Sequence, residues 1–168
     1  PQRLGAARQD PHIGSHRDTT LAEGIARVAD GVGRVLDLVP AAPDGARLVL
    51  ENGAGGGWAV GVTLEELAAV ADALGKRGVP TDRVAFCLDT AHLWGAGHPI
   101  DTAAGVDGTL AAFDGAVGLD RLVMVHLNDS RSELGLMSDR HEHLGAGRIG
   151  GAGLARWLTH PDLAHVAF

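Results

Sequence analysis

At 168 residues, 45% of them apolar, the chain is expected to form one domain with a sizeable core. It has no apolar run near the roughly 20 residues that cross a bilayer, no apolar signal-peptide centre in Pro1–His16, and one cysteine, Cys87. That excludes an internal disulfide and fits a reducing, cytoplasmic setting without membrane, while a formal charge of −7 argues against a simple basic nucleic-acid binder unless bound cations neutralise part of it.

In chain order, residues 1–11 carry no strand pattern and read as an irregular segment preceding a domain over 12–168. His12-Ile13-Gly14-Ser15-His16 follows as a turn with two histidines. From Thr19 to Val39 the positions Leu21, Ile25, Val28, Val32, Val35 and Leu36 recur at helical spacing. Thr19 or Thr20 is placed to cap that helix, and Pro40 to stop it. After a turn over Pro40–Gly45, Leu48-Val49-Leu50 reads as a strand ending at Glu51-Asn52. A glycine-rich loop leads to Thr63, which with Glu66 forms a capping-box pattern for a helix reaching about Arg77; Gly78 ends it. Val84–Leu88 is the next strand, ending at Asp89. A loop carrying His92, Trp94 and His98 precedes a helix between Asp101 and Val117. Leu122–Leu127 is another strand, delivering His126. A long loop with Asp139 and His141 precedes a helix over Gly151–Thr159, and Ala164–Phe168 reads as one more strand.

Short, β-branched strands alternating with helices predict a buried parallel sheet with right-handed crossovers. Glu51, Asp89 and His126 each stand at the C-terminal end of a strand. Polar residues at every successive strand end favour a barrel rim over the single switch point of an open sheet. About four to five β/α units are present, too few to close a barrel of about 250 residues. The fold class expected is therefore α/β, a partial (β/α)8 TIM barrel.

His12, Glu51, Asp89, His92, His126, Asp139 and His141 all follow strand candidates. One histidine after a strand is ordinarily a satisfied or solvated side chain. Their recurrence on consecutive units, with Asp89-x-x-His92 and Asp139-x-His141 each offering two ligands, points to a metal site of imidazole and carboxylate donors. The Gly53–Gly57 run lacks both the Gly-Lys-Ser/Thr ending of a P-loop and a dinucleotide fingerprint, and reads as a turn that leaves room beside a site. Cys87 reads as inert core. Trp94 is either a substrate contact or packing.

These motifs resemble the endonuclease IV family of metal-dependent apurinic/apyrimidinic endonucleases, which have xylose-isomerase-like barrels. His12-Ile13-Gly14-Ser15-His16 is similar to the family's HPGSH, with Ile13 in place of proline. Leu50-Glu51-Asn52-Gly53-Ala54-Gly55 resembles LENTAGQG, and Cys87-Leu88-Asp89-Thr90-Ala91-His92 resembles CLDTCH. His126-Leu127-Asn128-Asp129-Ser130, with Glu133-Leu134-Gly135 and Asp139-Arg140-His141-Glu142-His143, resembles HLNDSKKELGSRVDRHEH. The likeness runs from about His12 to the C-terminus.

By that resemblance the chain would lack the N-terminal strands of the barrel and the end of its last strand. Three zinc ions are implied. Glu51 would bridge two of them and serve as the catalytic carboxylate, His12 would ligate the first, and Asp89 and His126 the second. His92, Asp139 and His141 would hold the third, the one site whose ligands are all present. The family's further ligands, a histidine on an earlier strand and a glutamate at a final strand end, have no counterpart here. His16, Asn128, Glu142 and His143 would orient ligands, and Arg131 (where the family has lysine) and Arg140 would meet phosphate. The implied reaction is hydrolysis of the phosphodiester 5′ to an abasic site in duplex DNA, in base excision repair, by a protein expected to be monomeric. The chain alone is expected to be inactive. Two alternatives stand beside this reading: a divalent-metal sugar isomerase or epimerase of the same barrel type, and a non-catalytic remnant.

Overall fold

The computed structural model of the protein describes residues 8–9, 12–39 and 46–168. Helix α1 (Leu21–Leu38) starts at Thr20, whose side chain accepts from the Glu23 amide while the Glu23 carboxylate accepts from the Thr20 amide, at 3.3 and 2.9 Å. This reciprocal box satisfies two of the first amides at the helix start. Thr20→Ala should lower unfolding stability by about 1 kcal/mol, read by denaturant titration. The buried face of α1 is Ile25, Ala29 and Val32, the 4- and 3-residue steps expected. Helix α2 (Leu64–Lys76) buries Leu64, Leu67, Val70 and Leu74. The box expected at its start is only half made: Thr63 accepts from the Glu66 amide, but the Glu66 carboxylate accepts instead from the amides of Gly61 and Val62. It holds the end of the glycine-rich loop rather than the cap.

Four parallel strands follow one another across the sheet: β1 (Arg8–Gln9), β2 (Arg47–Glu51), β3 (Val84–Asp89) and β4 (Leu122–His126). Spatial order equals chain order, so the described strands contain no switch point. They form an arc of a TIM barrel that does not close. Arg8–Gln9 corrects part of the coil expectation for 1–11. The other residues of that segment, and the turn expected over Pro40–Gly45, lie outside the described residues. The last segment, expected as a strand, contributes a single parallel bridge from Ala167 to Met124.

The two faces of the arc differ in side-chain size. Leu50, Val84, Phe86, Leu88, Leu122 and Val125 join the large cluster with α1, α2, α4 (Ala103–Ala116) and α5 (Gly150–Thr159). Val49, Ala85, Cys87 and Val123 form a separate small cluster, which places Cys87 in the core as expected. Alternation along each strand produces both faces. Between Phe86 and Cys87 the register against β4 slips: Phe86 faces Leu122, but Cys87 faces Met124, skipping Val123. This bulge advances β4 by one residue, so His126 rather than Val125 stands beside Asp89.

Candidate metal centre

The strand ends assemble one polar rim. Glu51 ends β2, beside His12, which makes an isolated parallel bridge to it. Asn52 continues the strand's bonding: its amide donates to the Cys87 carbonyl, and its Oδ1 accepts from the Asp89 amide at 2.7 Å. Asp89 then caps α3 (Thr90–Gly95), accepting from the His92 amide at 3.0 Å. This segment, expected as loop, is one short helix whose residues are all buried, and it holds His92 beneath the rim.

The chain returns to this helix from the far side. The amides of Gly135 and Met137 donate to the carbonyls of Trp94 and Gly95, both at 3.0 Å, so the last carbonyls of α3 secure the segment that delivers Asp139. Close approach is needed there: a Cβ on Gly56, at φ +85°, would lie 2.8 Å from the Met137 carbonyl oxygen. Trp94 is buried and donates its indole N–H to the Ser132 carbonyl at 2.8 Å, which settles its role as packing. Two short antiparallel strands, β5 (Asp129–Ser130) and β6 (His141–Glu142), then place His141 over the rim.

Among the described residues the donor atoms converge in two groups that share Asp89. Glu51, Asp89 and His126 have ligand atoms within 4.8 Å of one another, and so do Asp89, His92 and His141. Glu51 and Asp89 are 7% and 1% exposed. Glu51 lies between histidines, with Oε1 2.9 Å from His126 Nδ1 and Oε2 3.7 Å from His12 Nδ1. Asp139 lies against both remaining histidines, 3.3 Å from His92 Nε2 and 3.0 Å from His141 Nε2. Asp89 Oδ2 is 3.9 Å from His126 Nδ1 and 3.8 Å from His141 Nε2. Two ligands held at about 2.0–2.1 Å by one tetrahedral zinc stand roughly 3.3 Å apart, so these separations and this nitrogen–oxygen donor set fit such an ion. The cleft beside Glu51, His92 and Asp139 has a volume of about 180 Å³. A larger apolar groove of about 530 Å³ between α1 and β2 has no carboxylate among its described lining residues.

Supporting bonds orient these donors. His92 Nδ1 is 2.8 Å from the Asn52 carbonyl oxygen and donates to it, so that in the neutral imidazole Nε2, on the side of Asp139, is the nitrogen that carries the lone pair. Burial pushes the His92 pKa down, but Asp89, the Asn52 carbonyl, Asp139 and Glu51 together outweigh it, and the net shift is upward. Asn128 Nδ2 donates to Asp89 Oδ2 at 2.6 Å. Thr90 Oγ1 accepts from the Asn128 amide and donates to the Asn128 carbonyl, which ties the start of α3 to the chain leaving β4. Sequence reasoning missed Asn52 and Thr90 as supports. Their one signal was position, each following a strand-end carboxylate. Asn52 Nδ2 is buried without a partner among the described residues, a donor that water or a substrate oxygen would satisfy.

The remaining candidates lie farther out. His16 bonds to the Thr19 carbonyl at 2.7 Å and meets the edge of Trp58, contacts that organise the start of α1. Arg131 pairs with Glu142 at 2.9 Å, and the Glu142 carboxylate also accepts from the His143 amide. That amide above all, with help from Arg131, holds the Glu142 pKa below its usual value against the opposing effect of desolvation. Arg140 and His143 flank His141–Glu142 in the chain and are exposed.

The xylose isomerase-like TIM barrel family matches residues 2–168. A protein named "Probable endonuclease 4" from Natronomonas pharaonis is 40% identical over 157 residues, covering 94% of this chain and 52% of that protein. One of the same name from Methanoculleus marisnigri is 40% identical over 158 residues, covering 94% and 54%. The crystal structure of endonuclease IV from Thermus thermophilus superposes with a TM-score of 0.80 at 39% identity, covering 98% of this chain and 54% of that one. The chain thus spans about half the length of the curated relatives it matches.

Proposed function

The chain belongs to the xylose isomerase-like TIM barrel family, among its endonuclease IV members, and on that footing we propose that it carries part of a zinc-dependent centre that hydrolyses the phosphodiester 5′ to an abasic site in duplex DNA. The observation that carries this reading is Glu51, a nearly buried carboxylate set between His12 and His126 on a rim whose second donor group shares Asp89 with the first. By the family resemblance His12, Glu51, Asp89 and His126 would serve two ions, and His92, Asp139 and His141 a third; the two convergent donor groups that share Asp89 support that reading. Bound zinc supplies Lewis acidity toward the phosphoryl group and lowers the pKa of water.

The chain's own residues do the rest. Glu51 holds one oxygen toward each flanking histidine, Asn52 fixes the His92 tautomer, and Asn128 fixes the Asp89 carboxylate. Arg140 and Arg131 are exposed, and guanidinium suits phosphate. Arg131 would exchange its Glu142 partner for the DNA backbone. Cations held by this carboxylate-rich rim would offset part of the chain's acidity toward DNA.

The test is incision of a duplex bearing a single abasic site, with and without chelator, by this chain and by a longer version carrying the flanking half of the barrel. Chelator-sensitive incision by the longer version is expected, with little from the 168-residue chain. Turnover of a sugar by the longer version with the abasic duplex left intact would overturn the nuclease reading in favour of the isomerases.

A further inference from the structure

Asp129 is fully buried, yet it is not among the clustered donors. Its carboxylate accepts from five main-chain amides: Ser130 at 2.8 Å, Gly145, Gly147 and Ile149 at 3.0 Å, and Gly150 at 3.3 Å. One side chain therefore organises the loop from Gly145 to the start of α5. Gly147 is required by the same contact, since a Cβ there would come within 2.5 Å of both Asp129 Oδ1 and the Ser130 carbonyl oxygen.

The main chain of Asp129 pairs with Glu142, and that of Ser130 with His141. Asp129 thus sits at the root of β5 and grips the chain just after it leaves β6. The ligands that this hairpin presents are not positioned by burial: the side chains of Asp139 and His141 are 54% and 45% exposed. Their place over the buried Asp89 and His92 depends on the backbone that carries them. Three further bonds fix that backbone: the Arg131 amide to the Arg140 carbonyl at 2.9 Å, the Arg148 amide to the Ser130 carbonyl at 2.7 Å, and the Ser132 amide to Ser130 Oγ at 3.2 Å.

We propose that Asp129 is a positioning residue, a buried carboxylate that sets the hairpin carrying Asp139 and His141 and so determines whether the donor group around His92 can close on an ion. This rests on the metal-centre reading for its consequence, though the structural role stands without it. An asparagine at 129 has one acceptor oxygen instead of two and turns an N–H₂ toward amides that need acceptors.

Two measurements separate the role from its consequence. Asp129→Asn should speed hydrogen exchange at the amides of Arg131, Gly145, Gly147 and Ile149, while those of β2 and β3 keep their protection. It should also weaken uptake of cobalt(II), a spectroscopic probe for zinc, at the His92–Asp139–His141 group by roughly tenfold to a hundredfold. Binding that requires Glu51 and His126 should be retained. If Asp129→Asn fails to fold, Gly147→Ala crowds the same carboxylate and is read in the same way. Unchanged exchange at Arg131, or faster exchange with cobalt affinity unaltered, would overturn the proposal. Should the unmodified chain take up no cobalt, the metal-centre reading falls, and exchange at Arg131 still decides what Asp129 does.

Discussion

Replacing Asp89 with alanine is expected to remove bound metal from both donor groups at once, the largest loss from any single ligand. Asp89 belongs to the Glu51–His126 group and to the His92–His141 group, so its deletion subtracts a ligand from each. Losing a residue that merely orients a ligand weakens metal affinity by about 10–100-fold, and loss of a shared direct ligand should exceed that range. The fold should tolerate the change better than the site does. The His92 amide and Asn128 Nδ2 lose their acceptor, a cost of about 1–3 kcal/mol each, but the desolvation of a buried carboxylate is relieved. Metal content after dialysis checks this against His126→Ala and His141→Ala, which each touch one group. If Asp89→Ala retains as much metal as His141→Ala, the shared-ligand assignment is wrong. Acid should act in the same direction. The upward-shifted His92 takes a proton at higher pH than an ordinary imidazole, and that proton competes with an ion for Nε2. Uptake should weaken as pH falls through the His92 pKa and recover above it.

Phe86→Ala should be among the most destabilising single changes in the chain. The ring is fully buried in β3, meets Phe113 edge-on at 6.3 Å between centroids, and carries the Arg121 guanidinium 4.9 Å from its centre. Deleting a buried phenyl ring costs about 3–5 kcal/mol through lost transfer energy and the cavity left behind. For a chain of this size each kcal/mol lowers Tm by about 2–4 °C, so a fall on the order of 10 °C is expected in thermal unfolding. Trp58→Ala is the control, because Trp58 is 55% exposed and should shift stability by no more than about 0.5 kcal/mol beyond its contact with His16. A Phe86→Ala loss near that of Trp58→Ala would mean that the helix-covered face is not the principal core.

Much of this arrangement was legible in the chain because the signals were local. Apolar spacing located α1 and α2, and Thr20 with Glu23 shows why α1 begins where it does. Glu51, Asp89 and His126 were each visible as the polar residue ending an apolar strand. Signals failed where the partner was distant. Glu66 fits a capping box by spacing, but its carboxylate is taken by the loop amides of Gly61 and Val62. The six-residue helix carrying His92 is too short to show a period, and it exists because Asp89 caps it and Gly135 and Met137 occupy its last carbonyls.

From residue order alone came the alternating strands and helices, the polar strand ends and the donors available to hold an ion, since each depends on neighbours a few positions apart. Which donors meet was decided in three dimensions. The bulge between β3 and β4 brings His126 to Asp89, Asn52 sets the tautomer of a histidine forty residues away, and Asp129 ties down a loop reaching Gly150. Registers and buried hydrogen bonds of this kind depend on which chains lie side by side, and so they became fixed only when the sheet assembled.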